Sequence, residues 1–203
     1  MILYPDVQSQ AQDKINCVVG RHHLPSFKDC EALPYISAIC CEIVQWHSLA
    51  PLTGWATSKS DVYIGYEILQ DTVVMVNLWA MSRDPDTFKD PDCFIPESFL
   101  KNGVLHDDVP DLMWGFGKRV CTGRVFAEST LWIAIACVLA AYNLTKDGHV
   151  RKQYTNSRLF MWAFITRVIL LYKLKFSFRR PLPFKCSFCL RFPEVKVMIL
   201  EEN

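Results

Sequence analysis

A strong charge of either sign is missing from this chain of 203 residues: 22 Lys and Arg offset 21 Asp and Glu, for a formal net charge of +1. With hydrophobic residues at 51%, that balance leaves no electrostatic footprint for nucleic acid and no composition for disorder. No secretory leader is expected either, because the polar stretch Asp6 to Asp13 follows Met1 almost at once. Nor is a disulfide framework. Nine cysteines, an odd number without framework spacing, read as reduced thiols in a cytosol-facing protein. Cys186 and Cys189 form a Cys-x-x-Cys pair, but the second pair of a zinc site is absent, so they read as ordinary strand cysteines. His22-His23 has no carboxylate–histidine pattern beside it and reads as a solvated pair. A chain of this length is nevertheless able to bury roughly 70% of its extended surface as one domain.

What is present is a chemistry-bearing stretch, Met113 to Glu128, reading Met-Trp-Gly-Phe-Gly-Lys-Arg-Val-Cys-Thr-Gly-Arg-Val-Phe-Ala-Glu. A basic, glycine-rich loop delivers Cys121 to the start of a long apolar helix. The unpaired N–H groups of a helix N-terminus, with Lys118, Arg119 and Arg124, favour a thiolate there. Gly115, Gly117 and Gly123 let the backbone turn sharply and lie flat against a ligand. A lone cysteine is by default a small buried hydrophobe, and the other eight read that way. At Cys121 the spacing decides otherwise. Gly117, Arg119, Cys121 and Gly123 at intervals of two would occur by chance in about one window per 10⁵ or fewer. Such a thiolate on a backbone cradle suits haem iron.

Those four residues match the signature Phe-x-x-Gly-x-Arg-x-Cys-x-Gly, and the chain resembles the C-terminal half of a cytochrome P-450 monooxygenase, nearest to fungal members. Trp114 stands at the first position, a conservative change. The resemblance implies a mainly α fold with small β-sheets. It also implies heme b on the Cys121 thiolate, with Trp114, Gly117, Arg119 and Gly123 as cofactor-binding residues. A small apolar organic substrate and an NADPH-dependent reductase follow from the same likeness. Complete members carry an N-terminal membrane anchor, usually in the endoplasmic reticulum, and a long helix over the distal face of the haem. Met1 falls just after that helix, so the expectation is a fragment or a truncated product.

Taken in order, Pro5 to Val19 places Val7, Ala11, Ile15 and Val18 on one face of a surface helix that stops at Gly20. A second helix runs from Leu33-Pro34 to about His47, with Ile36, Ile39, Cys40, Ile43 and Trp46 as its apolar face. Within it Glu42 matches the glutamate of the family's Glu-x-x-Arg motif, but Gln45 replaces the arginine. Phe94-Ile-Pro-Glu-Ser-Phe99 resembles the second arginine motif, with Ser98 in that arginine's place. Removing one side of a buried ion pair costs about 3–5 kcal/mol. Glu42 is then expected to take a proton, to bond with Gln45, or to lie exposed. At Gly54 to Lys59 the usual propionate-binding element is shortened, leaving Arg119 as the best propionate contact. Each charged hydrogen bond of that kind is worth roughly 1.5–3 kcal/mol.

Asp61 to Leu69 predicts a hairpin turning near Gly65, and Thr72 to Met81 a buried strand running into a short helix. Met75, Trp79 and Met81 read as core. Arg83 to Val109 reads as loop, with an acidic pair at Asp107-Asp108. The helix after Cys121, to about Tyr142, is apolar enough to be buried on most sides. Tyr154 to Phe160 and Pro181 to Cys186 resemble two stretches that adjoin in the family. Between them, residues 161–180 form an apolar insert with basic interruptions, read as a retained non-coding stretch. As a membrane span it is marginal, since one central arginine costs about 2.5–3.5 kcal/mol. Three functions stay open: a haem-thiolate monooxygenase, a non-catalytic remnant with weak or no haem binding, and a membrane-surface interaction protein using that insert.

Overall fold

The structure, a computed structural model, describes residues 1–106, 112–146 and 186–196. Its helices are α1 (Pro5–Val18), α2 (Pro34–Trp46), the single turn α3 (Leu78–Met81) and α4 (Arg124–Ala141). Both α1 and α2 open on a proline, whose missing N–H would be unpaired in a first turn anyway. The chain leaves α1 through Gly20, at φ +85°.

Val7, Ala11, Ile15 and Val19 form one stripe on α1. It packs against Ile36 and Ile39 of α2 and Trp132, Ala136 and Leu139 of α4. The expected fourth member, Val18, is exposed; a strict step of four carries the row to Val19, which continues the turn as the helix cap. Two buried glutamines extend the same helix face to the edge of a sheet. Gln8 donates to the Leu144 carbonyl at 3.2 Å and accepts from the Leu144 N–H at 2.9 Å. Gln12 donates to the Tyr142 carbonyl at 3.0 Å.

Among the described residues, four two-stranded antiparallel sheets fringe this core. They pair β1 (Thr53–Ala56) with β4 (Val73–Val76), and β2 (Asp61–Tyr63) with β3 (Tyr66–Ile68). The others pair β5 (Leu100–Lys101) with β6 (Val104–Leu105), and β7 (Tyr142–Lys146) with β8 (Cys186–Leu190). The fold is thus mainly α with small β-sheets, and Cys186 and Cys189 lie on a strand.

Two expectations fail here. β4 is not buried: Val73 is 60% exposed, and Val74 and Met75 also face outward. It pairs only with β1 among the described strands, and Met75 lies across Gly54, where a Cβ would stand 2.5 Å from the Met75 sulfur. Nor is α4 buried on most sides. Trp132, Ala136, Leu139, Ala140 and Ala141 are buried, while Val125 and Phe126 are 75% and 79% exposed. Its neighbours α1 and α2 cover one face only. α4 is also long and apolar enough to cross a membrane, a test that core helices pass as well, and its buried face belongs to the core. Asp107-Asp108, Tyr154 to Phe160, the 161–180 insert and residues 181–185 lie outside the described residues.

The predicted hairpin turns on Ile64 and Gly65, at φ +49° and +79°. Two successive positive φ values are the type I′ geometry that favours Asn-Gly. A β-branched residue is strained there, and Ile64 makes no compensating burial. Ile64→Asn should therefore stabilise the hairpin by about 1 kcal/mol, read as slower hydrogen exchange of the β2 and β3 amides.

Candidate functional site

The loop that carries Cys121 is folded by its own backbone. The Cys121 N–H donates to the Trp114 carbonyl at 2.6 Å, and the Arg124 N–H donates to the Cys121 carbonyl at 3.3 Å. Between these bonds, Gly117–Arg119 makes a short 3-10 turn. Gly115, at φ +89°, has no room for a side chain: a Cβ would lie 2.9 Å from the Arg119 carbonyl oxygen. Gly117 takes φ +52°. Gly123 caps α4, and a Cβ there would stand 3.9 Å from the Cys121 sulfur. Cys121 thus sits three residues ahead of the first helical residue, and its carbonyl takes the first N–H of the helix.

The thiol is exposed, and so is the apolar surface beside it in sequence: Phe116, Val120, Val125 and Phe126. Phe116 meets the Trp55 ring of β1 edge-on, with centroids 6.4 Å apart. Large apolar side chains left in water around a soft donor are the surface that a flat, apolar, iron-bearing macrocycle would cover. On donor type and surface, these residues fit haem.

The three loop cations are not equivalent. Lys118 and Arg119 are exposed on the 3-10 turn. Arg124 instead bonds Glu128 one helical turn on, at 2.9 Å. Lys59 is exposed in the link after β1. Trp114 is half-buried and lines a cavity of about 590 Å³ with Phe27, Cys40, Phe88, Glu128 and Trp132. Cys121 itself does not line that cavity, whose walls come largely from α2 and α4.

Within α2, Glu42 is 3% exposed, which removes the expectation that it lies in solvent. Its Oε1 accepts from the Ile95 N–H at 2.8 Å. Gln45 does not bond to it; the Gln45 amide donates to the Ser82 carbonyl. Burial pushes the Glu42 carboxyl up to about 7, while the Ile95 bond and the Arg83 charge hold it down and Glu97 adds to the rise. Among the described residues Glu42 forms no ion pair.

Arg83 is the residue that sequence reasoning missed. It donates from Nη1 to the Gln45 carbonyl at 3.1 Å, from Nη2 to the Trp46 carbonyl, and from Nε to Asp92 at 3.1 Å. It therefore caps the C-terminal end of α2, where partial negative charge collects. Its one signal in the sequence is a lone arginine directly before Asp84-Pro85, after a short helix.

A mainly α core fringed by small sheets, with a thiol presented on a glycine loop before a long helix, matches the layout expected of a haem-thiolate protein. The Cytochrome P450 family profile matches residues 1–175, and the chain belongs to that family. It is 43% identical over 149 residues to the cytochrome P450 monooxygenase COX2 of Coprinopsis cinerea, covering 71% of this chain and 28% of that protein. To the monooxygenase ppsD of Aspergillus oryzae it is 35% identical over 204 residues, 98% of this chain and 36% of that one. Monooxygenase 98 of Postia placenta is 34% identical over 207 residues, 98% of this chain and 38% of its own length. The chain thus spans well under half of the curated relatives it matches. The family is one of haem monooxygenases that hold haem through a cysteine thiolate and draw on a redox partner and an organic substrate.

Two tests follow. Gly115→Ala should cost roughly 1–3 kcal/mol, measured by urea unfolding, because the left-handed backbone and the Arg119 carbonyl both oppose a Cβ. Glu42 binds its proton more tightly in the folded state, so its contribution is fully present below its ordinary 4.5 and is lost as pH rises to about 7. Stability should fall across that window by on the order of 2 kcal/mol more in the natural chain than in Glu42→Gln, followed by thermal unfolding against pH.

Proposed function

We propose that Cys121 is the proximal ligand of a heme b iron, with Trp114, Gly117, Arg119 and Gly123 as the cradle around it. The chain then supplies the thiolate-bearing part of a monooxygenase that oxidises a small apolar organic substrate, with electrons from an NADPH-dependent reductase. The observation that carries this reading is an exposed thiol beside exposed Phe116, Val120, Val125 and Phe126 on a loop tied by its own backbone. When bound, haem supplies the oxygen-activating chemistry, and a thiolate ligand favours O–O cleavage. The chain's own part is to fix the sulfur through the Cys121 N–H bond to Trp114. Its apolar neighbours keep water from the ligand's edge. Lys118 and Arg119 supply exposed positive charge, suited to a haem propionate or to an acidic redox partner. Arg124 is assigned no share in that face.

A second reading, a non-catalytic relative that holds haem weakly or not at all, is favoured by one observation: Glu42 is buried without a cation partner among the described residues. One measurement separates the two. Purified chain titrated with haem, then reduced under carbon monoxide, should show the red-shifted Soret band of a thiolate ligand. Cys121→Ala should lose that band and bind haem at least tenfold more weakly. A band that survives the substitution overturns the assignment of Cys121. No band in the natural chain establishes the second reading.

A further inference from the structure

Glu42 does not only lack a cation; it borders a space for one. A cavity of about 390 Å³ opens beside it, lined also by Gln45, Lys89, Cys93, Ser98 and His106. This wall is rich in acceptors. Glu42 Oε1 is used by the Ile95 N–H, and Oε2 takes no donor among the described residues. The Gln45 amide nitrogen is spent on the Ser82 carbonyl, and no described donor reaches its oxygen. The Ser98 hydroxyl is turned to the Ile95 carbonyl. Arg83 feels the Glu42 charge but is committed to Gln45 and Trp46 carbonyls and to Asp92, and it does not line the cavity. Glu97 adds negative charge from the neighbouring 3-10 turn Pro96–Phe99. Lys89 is exposed, and His106 faces the Ser98 carbonyl at 3.3 Å.

A nine-tenths-buried carboxylate that shares a cavity wall with Gln45, in a space of ligand size, suits one positive charge with several N–H donors. Guanidinium has that charge, a planar fork that pairs with carboxylate, and weaker hydration than ammonium. We propose that the cavity beside Glu42 is a binding site for a small guanidinium compound, which would complete the buried ion pair that the described residues leave open. The cation would sit against Glu42 Oε2 and Gln45 Oε1, with its flat face towards Phe88 and Phe99 in the same wall.

The test is thermal unfolding of the full chain in low-millimolar methylguanidinium chloride, against equal tetramethylammonium chloride, which carries the charge without N–H donors. Methylguanidinium should raise the melting temperature saturably, and tetramethylammonium should not. Glu42→Gln should abolish the response. Ser98→Arg, placing a guanidinium on the cavity wall, should raise the melting temperature without ligand and remove the response to it. Equal responses to the two salts overturn the proposal, as does a full response in Glu42→Gln. If that variant fails to fold, the two-salt comparison on the natural chain decides alone.

Discussion

The bond from the Ile95 N–H to Glu42 is the contact that ties α2 to the segment leading to the cysteine loop. It joins the middle of α2 to the loop-rich segment that leads, through the 3-10 turn Pro96–Phe99 and the small β5–β6 hairpin, towards the cysteine loop. A neutral acceptor would serve as well for that single bond. A carboxylate brings a charge that burial makes costly, and the chain answers it at a distance, with Arg83, instead of in contact. The same arginine closes the end of α2 and reaches Asp92, so one guanidinium serves helix cap, loop tether and remote counter-charge at once.

How much of this was written in the sequence depends on which physical signal each element uses. α1, α2 and α4 were legible because apolar spacing, a starting proline and a stopping glycine are local signals. The hairpin at Gly65 and the cysteine loop were legible for the same reason. The exposure of β4 was not, since a run such as Val73-Val-Met-Val reads alike whether or not a second layer covers it. The one-sided burial of α4 escaped in the same way: composition records apolar surface, not which neighbours arrive to cover it. Family membership came from four residues at intervals of two, and the whole-chain comparisons agree with it.

Polar contacts were the least legible class. A bond from Gln45 to Glu42 is one of the three outcomes the sequence leaves open, but the Gln45 amide goes to the Ser82 carbonyl instead. Arg124 was counted with the charges around the thiol, yet Glu128 stands one turn along the same helix. Tyr35 shows the reverse case. Its hydroxyl reaches both Gln10 on α1 and Glu97 at the 3-10 turn, and burial with that carboxylate raises its ionisation well above the ordinary range. None of these partners is near in sequence, except Glu128, so no pattern of spacing announces them.

The two glutamines of α1 have an effect beyond packing. A two-stranded sheet has two outer edges, and each is a template on which another chain can build. On the β7 side Gln8 occupies both the N–H and the C=O of Leu144, and Gln12 takes the carbonyl of Tyr142. A helix side chain thereby stands in for the next strand and makes that edge a poor seed for aggregation.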